Sequence, residues 1–534
     1  MFKSKTNILI AFIILLAGIL IGLQINKLFV DKSVTEGSAK FDEVLNYTQK
    51  YYYQDVDTKE LVDDAITGML SALDPHSVYI PPAEQIGIEE EFRGNFEGIG
   101  IEFQIINDTI NVVSPISGGP SENVGIEAGD RIVKINSKSS IGFTNPDVVK
   151  NLRGEKGTKV DVTIYRPSVK KILDFEIYRD QIPIYTVDAS LLMSDSIGYV
   201  SLSKFAETSI DEVKQALEKL TKLGMKKLIL DLRNNPGGYL NQAFQVADLF
   251  IDDGKLIVYT RGRIASLDDN LRAEKTYSYE NIPLVVLINK GSASASEIVS
   301  GAIQDWDRGI IVGETSFGKG LVQRPFLLED SSAVRITISK YYTPSGRAIQ
   351  RDYEDKEEYY NEVLDRVEVE GDNTEHKVEV DSTKTEIFHT NGGRPVVSGG
   401  GITPDFIVKN SALTDYSIKL RGGNVFYKFV RRYIDSNPQL LTNYQNNFEL
   451  FKNNFSFTDS DMKSFIKFAE RNDVVYSNDD FQKDEQYIKT RLKAQIARNY
   501  WNNNGWYAVL LELDEQYLKA KELLESNYKL PTKY

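Results

Sequence analysis

The chain has 534 residues, which is enough for about two to four domains that each bury a hydrophobic core. Its formal net charge of −14 argues against a nucleic-acid-binding protein, because such a protein needs a basic surface. The absence of cysteine excludes disulfides, thiolate metal sites, a cysteine nucleophile and a lipidated N-terminal cysteine. Since there are only three histidines, a zinc site would have to rely on carboxylates.

The first thirty residues have the pattern of a membrane anchor. Two lysines precede the sequence ILIAFIILLAGILIGLQI, which covers 8–25 and contains a single polar residue. About 17–25 apolar residues suffice to span a bilayer, and no small-x-small cleavage site follows, which favours an uncleaved signal anchor. We therefore expect a cytoplasmic tip over 1–7, a transmembrane anchor over 8–26 and the rest of the chain, 30–534, outside the cytoplasm.

The next two regions differ in their hydrophobic period. Residues 30–96 contain the helical patterns FDEVLNYTQKYYY and LVDDAITGMLSAL, followed by the helix-breaking LDPHSVYIPP. Residues 97–180 contain short strand patterns separated by turn signals, among them GIGIEFQII, TINVVSPI, DRIVKIN and KVDVTIYR. These patterns predict a helical N-terminal region followed by a small β-rich module.

The remaining chain predicts a layered α/β core and a helical C-terminal domain. Over 181–410, strands such as KKLILDL and PLVVLINK alternate with helical patterns such as NQAFQVADLFI and ASEIVSGAIQDW, as in an α/β fold. Residues 351–393 are acidic and have no clear period, so we interpret them as a solvated excursion from the core. Residues 411–534 are helical and aromatic, and we expect those aromatic side chains to form a hydrophobic core rather than a ligand site.

The sequence VGETSFGKGLVQ, 312–323, has the glycine and lysine spacing of a nucleotide-binding P-loop. Gly320 stands where the magnesium-binding Ser or Thr should be, and LVQRPFLL reads as a strand instead of the helix that would bind phosphate. The pattern therefore argues against a nucleotide site and leaves the role of Lys319 open.

Two strand-to-helix junctions in the α/β core are candidates for catalytic chemistry. In the first, DLRNNPGG, a strand ends at Asp231, and Gly237 and Gly238 bring backbone N–H groups to the carboxyl edge of the sheet. Such donors suit an oxyanion, although an isolated Gly-Gly pair is more often a tight turn.

In the second junction, GSASASE, three serines precede a helix predicted from about Ala295. Each of Ser292, Ser294 and Ser296 is a candidate for the N-cap, and a serine at a helix N-terminus is also well placed as a nucleophile. No histidine lies near either junction in the sequence, but a lysine desolvated in a glycine-lined turn can act as the base of a Ser/Lys pair. Lys319 fits that role, and the even spacing of Lys319 and Gln323 would place both side chains on one face of a strand.

At these residues the sequence resembles the carboxy-terminal processing peptidases, or tail-specific proteases, which are Ser/Lys endopeptidases with an inserted PDZ domain. The resemblance covers roughly residues 40–410 and includes a PDZ-like segment. Its other motifs occur in the expected order: LDPHSVYI (73–80), DLRNNPGG (231–238), GSASASEI (291–298), GETSFGKGLVQ (313–323), YYTPSGRAI (341–349) and GGITPD (400–405).

The resemblance assigns catalytic roles residue by residue. It implies that Ser294 is the nucleophile, Lys319 the general base and Gln323 the residue that orients the base. The oxyanion hole would consist of backbone N–H groups from Ala295 and from one of two glycines, Gly237 or Gly238. Asp305 matches an acidic position sometimes counted with the site, and we expect it to be structural support. Ser292 and Ser296 remain capping or packing residues.

The resemblance also implies how substrates are recognised. A peptide C-terminus would add to a strand beside the carboxylate-binding loop formed by Gly98, Ile99, Gly100 and Ile101. Arg153 matches an arginine that couples the PDZ domain to the active site in relatives. AGDRIVKIN fits the PDZ pattern except that Ser137 replaces the usual glycine after Asn136.

The resulting hypothesis is a membrane-anchored serine endopeptidase on the periplasmic side of a bacterial inner membrane, acting without metal, nucleotide or other cofactor. Its expected partners are proteins with accessible C-termini, the membrane, and an activating partner or a second copy of the chain. The alternative from another class is a peptide-binding scaffold that has lost catalysis, but such a scaffold would have no need to keep Ser294, Lys319 and Gln323 together.

Overall fold

The computed structural model describes residues 32–193, 196–354, 359, 386–444 and 447–530. The chain divides into two compact units, Met1–Tyr79 and Ile80–Tyr534. Within the described residues, none of the helices has the length and apolar character needed to cross a membrane. The predicted cytoplasmic tip and membrane anchor lie outside the described residues.

The described part of the first unit consists of two helices and a turn. Helices α1 (Lys32–Tyr51) and α2 (Thr58–Ser71) cover the two helical patterns of this region. The side chain of Asp57 accepts hydrogen bonds from two N–H groups in the first turn of α2 and so fixes where that helix begins. In the DPHS turn, the carboxylate of Asp74 accepts a hydrogen bond of 2.8 Å from the N–H of His76.

A β-rich module follows, and its sheet has the strand order β3–β4–β5–β7–β8 with β6 beside β5. Strand β3 lies at the edge of this sheet, while β2 and β9 form a separate antiparallel pair. The elements of this part of the chain are β1 (Val78–Ile80), α3 (Pro82–Arg93), β2 (Asn95–Gly98), β3 (Ile101–Ile106), β4 (Thr109–Pro115), α4 (Pro120–Asn123), β5 (Arg131–Ile135), β6 (Lys138–Ser139), α5 (Asn145–Leu152), β7 (Lys159–Arg166), β8 (Lys171–Tyr178) and β9 (Asp180–Pro183). Alternating apolar residues of the strands pack against α5 to form a separate small core.

The two candidate strand-to-helix junctions follow strands of a second, larger sheet with the order β10–β11–β12–β15–β16–β21, in which only β10 is antiparallel. Its strands are β10 (Val187–Leu192), β11 (Ile197–Leu202), β12 (Lys227–Asp231), β15 (Leu284–Ile288), β16 (Ile310–Gly313) and β21 (Phe406–Ile407). Helices α6 (Ser209–Lys222), α7 (Leu240–Asp248) and α8 (Ala295–Asp305) pack on one face. Because helices cover both faces, all five residues of β15 are buried, which explains its continuous apolar sequence.

A smaller antiparallel sheet stands beside this core, with β17 paired to β18, β18 to β13 and β13 to β14. Its strands include β13 (Leu256–Gly262), β14 (Asp269–Arg272), β17 (Leu321–Leu327) and β18 (Ala333–Tyr342), and a 3-10 turn, Ala265–Leu267, joins the first two. The sequence LVQRPFLL therefore forms a strand, as its pattern predicts.

Much of the predicted acidic excursion, 355–358 and 360–385, lies outside the described residues. Its last part forms β19 (Ile387–His389), which pairs with β20 (Pro395–Val397).

The C-terminal part of the chain is helical. Its elements are α9 (Asp415–Gly422), α10 (Val425–Ser436), α11 (Gln439–Tyr444), α12 (Phe448–Asn454), α13 (Asp459–Glu470), α14 (Asn478–Leu510), the 3-10 turn Leu511–Leu513 and α15 (Glu515–Glu525). The aromatic side chains of α9–α14 pack into their own core, as expected from the sequence. Helix α14 is interrupted at Trp501 and Asn502, where the backbone leaves helical geometry.

These helices contact both the β-rich module and the α/β core. Arg498 on α14 donates a 2.9 Å hydrogen bond to Glu102 on β3, so the two are joined by an ion pair. Helix α15 packs on the face of the large sheet opposite α6–α8, where Leu523 and Leu524 meet residues of β11, β12 and β15. The core is therefore a three-layer α/β/α arrangement whose outer layer on one side comes from the end of the chain.

Candidate active site

Ser294 lies where β15 gives way to α8, as the N-cap residue of that helix. Its backbone has φ +54° and ψ −109°, a conformation that non-glycine residues rarely adopt. Strained residues of this kind persist only where their surroundings hold them, and they cluster at functional sites. The side chain is half-buried at the start of a helix whose first N–H groups carry partial positive charge.

The two neighbouring serines have structural roles. Ser292 and Ser296 are fully buried, and their hydroxyl groups donate to backbone carbonyl oxygens of the DLRNNPGG turn. The hydrogen bonds are 2.7 Å from Ser292 to Leu232 and 2.9 Å from Ser296 to Asn235. They hold the two catalytic junctions together, which agrees with the packing role expected for both serines.

Lys319 and Gln323 meet as the sequence predicts. The Lys319 Nζ donates a 2.8 Å hydrogen bond to the Gln323 Oε1. Gln323 lies on β17, and Lys319 precedes that strand in the glycine-flanked turn. Both side chains are half-buried.

The glycine turn is organised around Glu297, a residue that sequence reasoning missed. Its carboxylate accepts hydrogen bonds from the backbone N–H groups of Ser294 (2.7 Å), Lys319 (2.9 Å) and Gly318 (2.6 Å). It also accepts one of 2.5 Å from the hydroxyl of Ser316. Burial raises the pKa of Glu297 to about 7, although the four hydrogen bonds act in the opposite direction.

A second missed residue, Tyr341 on β18, also contacts both segments. Its hydroxyl lies 3.0 Å from the carbonyl oxygen of Ser294 and 2.6 Å from that of Lys319. Ser294 and Lys319 therefore share two buried partners, which places their backbones side by side although they are distant in sequence.

The same contacts exclude a phosphate from this loop. The N–H groups of Gly318 and Lys319 face the Glu297 carboxylate, and that of Gly320 donates to the Gln350 side chain at 2.8 Å. An anionic protein side chain thus occupies the place where a P-loop binds phosphate.

The two glycines of the DLRNNPGG turn differ in what their N–H groups do. Gly237 donates its N–H to the Asn235 side chain at 2.9 Å. Among the described residues, the N–H groups of Gly238 and Ala295 donate to no acceptor. A Cβ atom on Gly237 would lie 2.9 Å from the Ser294 Cβ, so the turn packs directly against Ser294. The turn therefore offers free donors beside the serine, and Gly238 suits the oxyanion role better than Gly237 does.

The base of this turn is held by a buried ionic network. Arg233 donates to Asp231 at 2.6 Å and, on its other side, to Asp514 at 2.8 Å and Gln516 at 2.9 Å. Tyr199 donates a 2.7 Å hydrogen bond to the same carboxylate of Asp231. Since Asp514 and Gln516 belong to the start of α15, the C-terminal helix supports the candidate oxyanion turn.

Asp305 lies at the opposite end of α8 from Ser294. It is buried and forms an ion pair of 2.8 Å with Arg347, and it accepts the N–H of Ser345 at 2.9 Å. These contacts hold the YYTPSGRAI turn against the helix. This geometry agrees with the supporting role expected for Asp305.

The candidate carboxylate-binding loop has open backbone donors. The carbonyl groups of Ile99 and Gly100 accept hydrogen bonds from the segment 116–121, whereas their N–H groups donate to no acceptor in the described part of the chain. Gly100 has φ +74°, which glycine adopts without strain. Gly98 ends β2, and Ile101 begins the edge strand β3. An edge strand beside free N–H groups is the arrangement that binds a peptide C-terminus by strand addition.

Sequence comparisons agree with this architecture. The profile of peptidase family S41 matches residues 196–355, a PDZ domain profile matches 112–166, and the profile of the activating protease CtpB N-terminal domain matches 24–82. Residues 416–502 match a family of unknown function.

Two similar proteins are named as carboxy-terminal processing proteases. The carboxy-terminal processing protease CtpA of Bacillus subtilis is 39% identical over 324 residues, which are 60% of this chain and 69% of CtpA. The carboxy-terminal-processing protease of Bartonella bacilliformis is 41% identical over 316 residues, 58% of this chain and 72% of that protein. Among solved structures, the photosystem II D1 C-terminal processing protease matches 58% of this chain and 83% of its own, with 31% identity and a TM-score of 0.32.

The fold and the site define a serine peptidase with a PDZ domain. The chain belongs to the carboxy-terminal processing proteases of peptidase family S41.

Proposed function

We propose that this protein is a membrane-anchored serine endopeptidase that binds protein C-termini through its PDZ domain and cleaves exported or loosely folded proteins through an acyl-enzyme. The observation that carries the proposal is the arrangement around Ser294: a strained helix N-terminus, two free backbone N–H groups, and the hydrogen-bonded pair of Lys319 and Gln323 on the adjoining segment.

In the first step, the Ser294 hydroxyl attacks the scissile carbonyl carbon and its proton passes to the neutral Lys319 amine. The carbonyl oxygen becomes an oxyanion, which accepts hydrogen bonds from the N–H groups of Ala295 and Gly238. The Gln323 Oε1 accepts an N–H of the Lys319 amine and thereby fixes its direction.

In the second step, the peptide C–N bond breaks and the Lys319 ammonium returns the proton to the departing amine. The Ser294 ester remains as the acyl-enzyme. Lys319 then takes a proton from water, the resulting hydroxide attacks the ester, and Ser294 recovers its proton as the new carboxyl terminus leaves. No step uses a metal or a nucleotide.

Arg153 supports coupling between the PDZ domain and the site. It forms an ion pair with Glu90 on α3 and its guanidinium lies 4.5 Å from the Phe96 ring centre. From α3, the carbonyl of Phe92 accepts the N–H of Glu207 at 2.9 Å, so this helix contacts the segment that borders the oxyanion turn. A displacement of the PDZ domain would therefore be transmitted through α3 to the segment beside the oxyanion turn.

The location is part of the proposal. The apolar run 8–25 is long enough to span a bilayer and no small-x-small cleavage site follows it, which supports an uncleaved anchor. Lysines flank the run on both sides, so charge does not set its orientation. We place the catalytic part on the periplasmic side because long domains translocate largely regardless of such charges.

The proposal is tested with the full chain in detergent and an unfolded protein substrate that ends in apolar residues. We expect cleavage at pH 7 to 9, unaffected by EDTA and lost in Ser294→Ala and Lys319→Ala, because each variant lacks one member of the pair. The matched control is Lys290→Ala, which changes an exposed lysine near the site. This variant protein should cleave the substrate as the parent does. Appending two aspartates to the substrate C-terminus should slow cleavage if the PDZ domain selects apolar C-terminal residues.

Two outcomes would contradict the proposal. Cleavage that survives in Ser294→Ala would remove Ser294 as the nucleophile. Tail binding by the PDZ domain with no cleavage by the parent under any of these conditions would instead favour the peptide-binding scaffold.

A further inference from the structure

The proposed nucleophile and base come from separate segments, and both are fixed through their backbones by the same two buried side chains. The Glu297 carboxylate accepts the N–H groups of Ser294 and Lys319, and the Tyr341 hydroxyl lies between their two carbonyl oxygens. The carboxylate thus holds both residues at their N–H groups, while their C=O groups share the single proton of the Tyr341 hydroxyl.

Both holding residues are inaccessible to solvent. Glu297 is 0% exposed and Tyr341 is 1% exposed. Neither is placed to touch substrate, so their effect on catalysis must pass through Ser294 and Lys319. Because chemistry is sensitive to displacements of about 1 Å, which can cost about 10²-fold in rate, such indirect contacts can control activity.

The hydrogen-bond pattern requires an ionised carboxylate. Glu297 faces four donors, three backbone N–H groups and the Ser316 hydroxyl, and that hydroxyl already accepts the N–H of Ile402 at 2.6 Å. A proton on either carboxyl oxygen would point toward a donor and displace at least one of these bonds. Protonation would therefore loosen the contact with Ser294, with Lys319 or with the loop between them.

We infer that Glu297, in its ionised form, and Tyr341 are positioning residues that hold Ser294 and Lys319 in register for catalysis. This inference rests on the proposed Ser/Lys function and adds to it a second titrating group on which activity depends.

The surroundings make that titration relevant near neutral pH. In the described part of the chain, the titratable or charged groups near Glu297 on neighbouring elements include Lys319 before β17, Tyr341 on β18, and Arg351 and Tyr359 beyond β18. Burial raises the pKa of Glu297 to about 7. The raised pKa of a carboxyl group means that the charged form is lost as pH falls through about 7, so the positioning contacts weaken in that range.

The test compares the pH dependence of kcat for the full-length parent with that of Glu297→Gln. In the parent, both Glu297 and Lys319 must be deprotonated, so log kcat should fall with a slope approaching two on the acid side. In Glu297→Gln, we expect kcat to fall by about 10²-fold, KM to change less than threefold, and the acid slope to fall to one. A merely structural role would lower the folded fraction without changing the slope.

Three further variants keep the inference falsifiable if Glu297→Gln folds poorly. Ser316→Ala removes one donor to the carboxylate and should move the acid limb of kcat to higher pH, because fewer hydrogen bonds stabilise the charged form. Tyr341→Phe should lower kcat about tenfold with an unchanged slope, as expected for loss of one non-titrating hydrogen bond. Ser300→Ala, a buried change on the same helix away from these contacts, should behave as the parent.

The inference would be overturned if folded Glu297→Gln kept the parent kcat and slope, or if Ser316→Ala left the acid limb in place. The proposed function has a separate control in the same assay. If Ser294→Ala stays active, both the Ser/Lys function and this inference are overturned. If Ser294→Ala is inactive while Glu297→Gln is fully active, only the positioning role is overturned.

Discussion

Ser294 shows how much of the site depends on single residues. Its positive φ angle is unfavourable for a side chain with a Cβ atom, and the surrounding hydrogen bonds to Glu297 and Tyr341 maintain it. The serine is only partly buried, while both its N–H and its carbonyl oxygen contact buried side chains.

At the residue scale, the proposed reactive groups were predictable and their supports were not. Ser294, Lys319 and Gln323 stand in motifs whose resemblance to those of the processing peptidases implies their roles. Glu297 acts on backbone atoms brought together by the fold, so periodicity does not reveal it. One signal was present: Glu297 follows Ser294 at the S-x-x-E spacing of a capping box, in which a glutamate accepts the N-cap N–H. Tyr341 begins the YYTPSGRAI motif, but that motif does not indicate that its hydroxyl reaches the carbonyl oxygens of Ser294 and Lys319, because only the fold brings those segments to β18.

Glu297 should also make stability depend on pH. Burial raises its pKa in the folded protein from 4.5 to about 7. Its contribution to stability is therefore complete below pH 4.5 and is lost as pH rises through about 7, which corresponds to about 3 kcal/mol by linkage. We expect urea unfolding to show that the parent loses stability relative to Glu297→Gln between pH 5 and pH 8. The raised pKa of Glu297 would be contradicted if the stability difference between the two proteins stayed constant with pH. It would also be contradicted if the parent gained stability relative to Glu297→Gln as pH rises.

At the scale of elements, α15 is the least expected part of the core. An amphipathic helix at the end of an aromatic helical region gives no indication of which surface it will cover, since that choice depends on tertiary packing. The strand and helix patterns of the core were easier to predict because they repeat: apolar five-residue strands alternate with helices, and α8 begins at Ala295 as expected.

Helix α15 should contribute to the stability of the peptidase core. Leu523→Ala removes a 3% exposed side chain from the layer on the large sheet and should destabilise the protein by about 2–5 kcal/mol. Leu518→Ala, on the same helix but 44% exposed, is the matched control and should cost much less. Chemical denaturation of both variants distinguishes them, and equal effects would show that α15 does not act as a core layer.

At the scale of the whole molecule, the C-terminal helices connect the recognition module to the catalytic core. Helix α14 reaches β3 of the PDZ domain through Arg498 and Glu102, and the helix that follows it supports the turn at Gly238 through Arg233. Domain order could be predicted from the sequence, because each region has its own composition and period. The contacts among domains could not, because they depend on tertiary packing, both in the Arg498–Glu102 ion pair and in the apolar face of the sheet that Leu523 and Leu524 cover.

The proposed anchor and its orientation can be tested by labelling, because the chain has no cysteine. Ser38→Cys lies after the predicted span and Ser4→Cys before it. With a membrane-impermeant maleimide applied to spheroplasts, we expect Ser38→Cys to be labelled and Ser4→Cys to be labelled only after permeabilisation. Labelling of Ser4→Cys in intact spheroplasts would contradict the proposed orientation, and recovery of the protein without membranes would contradict the anchor itself.

The most direct test of the central claim is the identification of the acylated residue. The full-length protein is mixed with a peptide ester, quenched in acid within the first turnover, digested and analysed by mass spectrometry. We predict an acyl group on Ser294, formed about 10²–10⁴-fold more slowly in Lys319→Ala because the general base is missing, and at the parent rate in Lys290→Ala. An acyl group on another residue, or equal rates in Lys319→Ala and the parent, would contradict a Ser294/Lys319 mechanism.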